Sequence, residues 1–381
     1  MIPFAIASTE KRVLTFRWIG GLVLLLIFPA WLTAQTGNAR NSLSVKTSYG
    51  IDMDRSHPNR SDNHLYGLHV SYDWRLTPEN AEWVRILNAQ SLSLGLVWHN
   101  LSFMRELVDS THYSGGQAIG TLAEVDFQLL RLGSTKLLFT PGLGISYITE
   151  TIFTQPATST IGSHINLSIS GEISLEIPLS PHTSLLAGGS VHHYSNGGIA
   201  VPNGGWNALL GSMAIKSALG KSTPGDQEVY RHFESNHAEI WFGAGVRGRY
   251  RTKGDKFYRS GAYAGYNFYI NKALLLKFGS HAVYHHTVFD PDRFDETFQY
   301  YGSSLERIRL GIAAGADFML GPIVIHGMYG KYIHYRSYHN VQWYWVYGLR
   351  YFFTPNIGLQ NTHLLHGAQA DYMNWGIIFR I

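Results

Sequence analysis

The chain has 381 residues and no cysteine, which excludes disulfide bonds, thiolate nucleophiles and cysteine metal sites. Charged residues make up 15% of the chain, against roughly 25% in ordinary soluble domains, while glycine occurs 40 times and aromatic residues reach 14%. The net charge of +4 is small and scattered, so nucleic acid is not an expected partner. Few charges with many glycines and tyrosines favour an all-β transmembrane barrel, in which one face of each strand meets lipid.

The first 34 residues are predicted to be a secretory signal peptide. Basic residues from Lys11 to Arg17 precede the apolar run 18–32, and the small residue Ala34 provides a cleavage position. The run is shorter than the ~20 residues that a spanning helix needs, which favours a cleaved signal over an anchor. We therefore expect the mature chain to begin near Gln35, and a membrane form of it to be a barrel.

Segments with period-two alternation of apolar and polar residues then follow one another, separated by turn residues. In the first half they lie at 43–51, 66–74, 92–98, 123–129, 137–147, 165–177, 185–195 and 207–215. The clearest is 165–177, which places Glu172 and Glu176 on the face opposite its leucines and isoleucines. Both carboxylates are therefore predicted to line a polar interior.

A polar segment at 220–236 interrupts the pattern, which resumes at 240–246, 258–270, 273–286, 305–320, 322–335, 341–353 and 366–381. Since closed bacterial barrels have even strand numbers, we predict about 14 strands, or 16 if 357–365 also pairs. Either one wide barrel forms, or two barrel-like halves meet at 220–236; we predict one barrel. The predicted divisions are a signal peptide (1–34), barrel strands that include the motif described below (35–219), a loop or boundary (220–236) and further strands (237–381).

The last segment indicates a partner. Trp375, Ile377, Phe379 and Ile381 share one face of the predicted final strand. Outer-membrane barrels commonly end in such an aromatic and apolar alternation, which their assembly machinery binds. The barrel assembly machinery is therefore an expected partner.

The stretch 191–207 is where a nucleophile, a base and oxyanion donors converge in the sequence. His193 and Ser195 lie two residues apart in a predicted strand and therefore share a face. The turn 196–198 supplies an amide and backbone N–H groups that can hold a developing negative charge. Asn207 opens the next strand, and a hairpin would return it towards His193. The alternatives are an ordinary polar pair near a barrel rim, and an Asn207 that only caps the turn before it.

The longer pattern H-Y-S-N-G-G-x-x-x-P-N-x-G-x-N, from His193 to Asn207, resembles the active-site motif of the lipid A 3-O-deacylase (PagL-like) family, which is related to the acyloxyacyl hydrolases. The resemblance implies that His193 is the general base, Ser195 the nucleophile, and Asn196 with Gly197 the oxyanion site. The best-known members have glutamate as the third triad residue, where this chain has Asn207. An amide can orient an imidazole without offsetting its charge, so glutamate at 207 is expected to retain or raise activity. Aspartate is a less decisive replacement because it is shorter.

The resemblance also implies a location and a substrate. The family consists of serine hydrolases of the Gram-negative outer membrane, so the expected activity is removal of an ester-linked acyl chain from lipid A (lipopolysaccharide), without cofactor or metal. Two alternatives stay open: a non-catalytic barrel, pore or structural protein, that retains the motif, and a lipase that acts on phospholipids. The family barrel has eight strands, so the resemblance accounts for 41–219 and leaves the second half unexplained.

Overall fold

Two closed antiparallel barrels of eight strands each make up the computed structural model of the chain. The structure describes residues 41–53, 63–77, 81–108, 111–156, 159–220, 233–251, 253–254, 256–286, 288–289, 299–300, 304–336, 341–367 and 369–381. The predicted signal peptide and most of the predicted boundary segment lie outside the described residues.

The first barrel precedes the boundary segment. Its strands are β1 (Ser42–Asp52), β2 (His64–Arg75), β3 (Ala89–Asn100), β6 (Gln117–Leu132), β7 (Thr135–Ile148), β8 (Ile165–Pro178), β9 (Thr183–Ser195) and β10 (Trp206–Ala218). They are ordered β1-β10-β9-β8-β7-β6-β3-β2 around the ring. A separate hairpin of β4 (Arg105–Val108) and β5 (Thr111–Ser114) and a helix over Glu82–Leu87 lie in its connections.

The second barrel joins its strands in sequence order. They are β11 (His237–Gly248), β12 (Lys256–Asn271), β13 (Leu274–His285), β16 (Ile308–Leu320), β17 (Ile323–His334), β18 (Trp343–Phe352), β19 (Ile357–His366) and β20 (Gln369–Arg380). A short pair, β14 (Val288–Phe289) and β15 (Gln299–Tyr300), and a helical turn over Ser304–Arg307 follow β13. No helix of the described residues is long and apolar enough to cross a membrane.

The predicted all-β fold is confirmed, and so is the larger strand number, because the doubtful segment 357–365 pairs as β19. The prediction of one wide barrel is wrong. β10 pairs with β1 from Ala208 to Ala218 and β20 pairs with β11, so each ring closes on itself after eight strands. Closure leaves β10 no free edge for β11. Alternation within a strand indicates which face is apolar but not which distant strand supplies the neighbour, and so it does not reveal where a ring closes.

Ion pairs fill the interior of the first barrel. Lys46 Nζ lies 2.6 Å from Glu172 Oε2, and Lys136 Nζ lies 3.7 Å from Glu176 Oε2. Both carboxylates therefore point into the lumen, as the alternation predicts. An eight-stranded ring is just wide enough for its own side chains, so this interior is packed.

The second barrel contains a tighter charge cluster, whose side chains are completely buried. Lys277 Nζ lies 2.5 Å from Glu239 Oε1 and 3.0 Å from Asp317 Oδ2. Arg350 Nη1 bonds to the same two carboxylates at 2.8 and 3.2 Å, and His326 Nδ1 lies 2.6 Å from Asp317 Oδ1. Each carboxylate is thus held by more than one cation, which offsets the loss of solvation on burial.

The barrels meet at the end where β9 begins, through outward-facing apolar side chains. Trp83 and Leu92 of the first barrel pack in one buried cluster with Ala273 and Leu320 of the second. Beside it, Lys272 Nζ lies 3.1 Å from Glu82 Oε2, and this hydrogen bond lowers the pKa of the Glu82 carboxyl. The other contact between the barrels, at the end where β9 finishes, surrounds the site described below.

We expect Asp317→Asn to destabilise the second barrel by about 3–5 kcal/mol, because it leaves buried cations with one carboxylate fewer. Urea unfolding of the detergent-solubilised protein measures the change in the free energy of unfolding. The control is Phe318→Leu. Phe318 is the next residue in the strand, faces outward and is 46% exposed, so we expect this change to lower the free energy of unfolding by less than ~1 kcal/mol. Equal losses in the two variants would contradict the role of the charge cluster.

Candidate functional site

The site begins with the alternation of β9, which divides the residues of the motif between two faces. His192 and Tyr194 point into the lumen, where the Tyr194 hydroxyl bonds to Nδ1 of His99. His193 and Ser195 point outward at the end of the strand. The period-two geometry therefore places the imidazole and the hydroxyl side by side on the outer face.

The β9–β10 hairpin brings Asn207 back to this pair, since it lies opposite His193 in the register. His193 Nδ1 is 2.7 Å from Asn207 Oδ1, and His193 Nε2 is 2.7 Å from Ser195 Oγ. Ser195 is 9% exposed, and the other two side chains are half-buried. The structure thus joins the three residues in one hydrogen-bonded row.

This row defines a protonation pattern. The amide oxygen of Asn207 can only accept, so Nδ1 of His193 carries the proton. Nε2 then has a free lone pair and accepts the Ser195 hydroxyl proton, which is the arrangement that a general base needs. An asparagine rotated by 180° about its last bond would instead present N–H to Nδ1 and hold the opposite tautomer. A carboxylate has no such second state.

The alternative role for Asn207, a cap for the preceding turn, fits the geometry less well. The Gly204 N–H donates to Ser159 O at 3.1 Å, and the Gly205 N–H donates to Thr160 O at 2.8 Å. Two of the backbone donors that such a cap would serve are therefore already paired, and the amide oxygen of Asn207 is directed to His193.

Asn196 has a different position from the one that the motif implied. Its side-chain Nδ2 donates to Ser163 Oγ and to Ala200 O, both at 3.0 Å, while Oδ1 accepts from Gly198 N at 3.0 Å. Its backbone N–H donates to Asn203 Oδ1 at 3.0 Å. Both side-chain protons are used within the turn, so this amide shapes the loop and has no free donor for a substrate oxygen. Sequence reasoning identified neither Ser163 nor Asn203 as its partners.

Gly197 retains a free donor. It has a φ of +65° and Gly198 one of +82°, a left-handed pair that favours glycine at both positions. The Gly197 N–H has no acceptor among the residues that the structure describes. Two residues after Ser195, it is the backbone donor available to a developing oxyanion.

The second barrel holds this loop by hydrogen bonds to its main-chain carbonyls. The bonds run from Gly248 N to Gly198 O at 2.8 Å, from Arg251 N to Val201 O at 2.8 Å, and from Lys256 Nζ to Ile199 O. The conformation of the turn after Ser195 is therefore fixed from both barrels.

His363 of β19 lies directly over Gly197 and was missed by sequence reasoning. It is 3% exposed, and a Cβ at Gly197 would lie 2.6 Å from its Cε1 and 2.7 Å from its Nδ1. The Tyr347 ring stacks with the imidazole at a centroid distance of 5.3 Å and an interplanar angle of 19°. A signal was available: Asn361 and His363 are polar residues on the outward face of a segment whose neighbouring outward residues are apolar.

Comparison with known families assigns both halves of the chain. Residues 66–216 match the family model of the lipid A 3-O-deacylase (PagL), and residues 236–381 match that of the acyloxyacyl hydrolase C-terminal domain. Residues 66–216 belong to the PagL lipid A 3-O-deacylase family. The predicted resemblance is therefore confirmed, and the second barrel, which it left unexplained, corresponds to the acyloxyacyl hydrolase C-terminal domain. The location is the outer membrane of a Gram-negative bacterium.

Solved structures match at low identity. The outer membrane enzyme PagL is 16% identical, with 46% of this chain and 99% of that chain covered and a TM-score of 0.30. Neisserial surface protein A is 7% identical, with 47% and 97% covered and a TM-score of 0.29. Omp33 of Acinetobacter baumannii is 10% identical, with 91% and 100% covered and a TM-score of 0.19. No curated protein matches the chain.

The sequence made Asn207→Asp the less decisive replacement, but the structure makes it the sharpest test of the third residue, because the asparagine already reaches His193 and aspartate has the same length. Its carboxylate holds only the productive tautomer, and serine proteases with the reverse change lose about 10⁴-fold in kcat. We expect a higher kcat in Asn207→Asp and a lower one in Asn207→Ala, measured as ester hydrolysis by refolded protein in detergent. Equal kcat in the Ala variant and the unaltered protein would exclude the orienting role.

Gly197→Ala should impair hydrolysis, because the new Cβ collides with the rigid imidazole of His363 and forces the loop to move. Gly367→Ala is a matched control: its φ is +60°, but a Cβ there would contact nothing within 4 Å. Both changes carry the ~1–2 kcal/mol cost of a left-handed residue, so the expected difference between them lies in kcat and not in stability. Similar kcat values in the two variants would show that the contact with His363 has no effect on the site.

Proposed function

We propose that the protein is a serine esterase that removes an ester-linked acyl chain from lipid A. The observation that carries the proposal is the hydrogen-bonded row of Ser195, His193 and Asn207 on the outer face of the first barrel. Membership of a family named for lipid A deacylation supplies the substrate class. The chemistry needs these side chains and water, and it requires neither cofactor nor metal.

In the first half of the reaction, the Ser195 hydroxyl gives its proton to Nε2 of His193 while Oγ attacks the ester carbonyl. The oxyanion of the tetrahedral intermediate accepts a hydrogen bond from the Gly197 N–H. Collapse of the intermediate breaks the ester bond, and the sugar oxygen leaves as an alcohol with the proton from Nε2. The acyl chain is then bound to Ser195 as an ester.

In the second half, His193 takes a proton from water, whose oxygen attacks the acyl-enzyme. The second intermediate collapses, Ser195 recovers its proton from His193, and the fatty acid is released. Asn207 holds the tautomer of His193 in both halves, without supplying the negative charge that a glutamate would place beside the imidazolium.

The site's position suits a substrate that lies in a membrane. We infer that both barrels span the outer membrane, since outward residues such as Leu96 and Phe242 are 68% and 58% exposed. An acyl chain within the leaflet can then present its ester at the outer face of β9. Residues 1–34 act as the export signal in this proposal, and the final strand, with Trp375 and Phe379 exposed, is offered to the barrel assembly machinery.

Ser195→Ala and His193→Ala should each lower deacylation by roughly 10⁴–10⁶-fold, the loss typical when a nucleophile or its base is removed. The assay is mass spectrometry of lipid A incubated with refolded protein in detergent, with phospholipid as a second substrate. Heat-modifiable migration on gels should be unchanged, because neither side chain belongs to a packed lumen. Lipid A that is equally intact with the unaltered protein and with Ser195→Ala would favour a non-catalytic barrel, and hydrolysis of phospholipid alone would favour a lipase.

A further inference from the structure

The mechanism above leaves one buried imidazole at the site unused. His363 lies on the outward face of β19, where Leu359, on the same face, is 41% exposed, yet His363 itself is 3% exposed. The loop that follows Ser195 covers it. A polar side chain has thus been placed between the two barrels, against the segment that carries the free Gly197 N–H.

The Nδ1 atom of His363 is buried and forms no hydrogen bond with any residue that the structure describes. A buried polar atom without a partner is costly, and in a native protein it calls for an explanation such as a catalytic role or a bound water or ion. The ring is held by stacking on Tyr347 and not by a hydrogen bond. Its orientation is therefore kept while Nδ1 stays unpaired among the described residues.

The free atoms of Gly197 and His363 lie together. Nδ1 of His363 would be 2.7 Å from a Cβ at Gly197, and the Gly197 N–H lacks an acceptor among the described residues. A second donor beside the Gly197 N–H, two residues after Ser195, would complete the arrangement that stabilises a tetrahedral oxyanion. The side chain of Asn196, which the motif offers as an oxyanion donor, is fully bonded within the turn.

We propose that His363 is an oxyanion donor supplied by the second barrel. With its proton on Nδ1, the neutral imidazole donates to the oxygen that becomes negative when Ser195 attacks, alongside the Gly197 N–H. No bond to His363 forms or breaks, and it keeps its proton throughout. This inference rests on the proposed esterase function, and it gives the C-terminal barrel a part in the site: the oxyanion donors are assembled only when both barrels are in place.

Two substitutions of His363 distinguish the loss of its N–H donor from the loss of its packing against Tyr347. His363→Phe keeps a ring against Tyr347 and removes the donor, whereas His363→Asn places an N–H close to the former position of Nδ1. Loss of one oxyanion donor costs about 10²–10³-fold in kcat, so we expect this loss in the Phe variant with KM changed by less than ~2-fold. The Asn variant should recover most of the kcat. His286→Phe, the same change at an exposed histidine of the second barrel, is the matched control.

The measurements use the full chain in detergent with two reagents, lipid A and a fluorophosphonate, whose phosphoryl oxygen occupies the oxyanion position when it labels Ser195. We expect labelling rates to follow the same order as kcat, with heat-modifiable migration unchanged. Equal rates for the unaltered protein and His363→Phe overturn the proposal, as does an equal loss in the Phe and Asn variants, which would show a packing role.

The two reagents also separate this inference from the proposed function. If the protein reacts with fluorophosphonate but releases nothing from lipid A, the substrate proposal fails and the labelling rates alone decide the role of His363. If Ser195 reacts with neither reagent, both proposals are overturned.

Discussion

Each barrel closes through backbone hydrogen bonds between its first and last strands, and the rest of the structure depends on this closure. A ring of eight strands leaves room for little more than its own side chains. The pair of Lys46 and Glu172 occupies this space in the first barrel, and the cluster around Lys277 and Asp317 occupies it in the second. With both lumens packed, a site for the proposed lipid A substrate has to lie on an outer face.

An outer face is a difficult place for polar groups, because it is otherwise apolar. Here the polar groups are covered. The loop after Ser195 turns over the end of β9, and the second barrel holds this loop through main-chain hydrogen bonds at Gly198 and Val201. His363 and Gly197 then face each other with water largely excluded. Hydrogen bonds in such surroundings are stronger, and unpaired donors more costly, than at an exposed rim. The contact between the barrels thus shapes the site as much as it joins the domains.

The part of the site that the sequence predicts correctly is the part that local geometry determines. His193 and Ser195 share a face because they are two residues apart in a strand, and Asn207 returns to them because a hairpin connects β9 and β10. The placement of Asn196 was less predictable. A tight turn has several backbone groups to satisfy, and a short amide side chain within it bonds to them first. Whether an amide serves the turn or a substrate depends on neighbours such as Ser163, which come from another loop.

The sequence alone determined the all-β fold, the polar lumens and the outward placement of His193 and Ser195, since each follows from an alternation that spans only a few residues. Only the tertiary structure decided that the strands form two rings and that His363 lies over Gly197. The alternation is the same whether β10 pairs with β1 or with β11, because it fixes which face is apolar and not which neighbour is chosen. Likewise, an outward histidine in β19 is a local anomaly until the second ring packs beside the first and places it at the site.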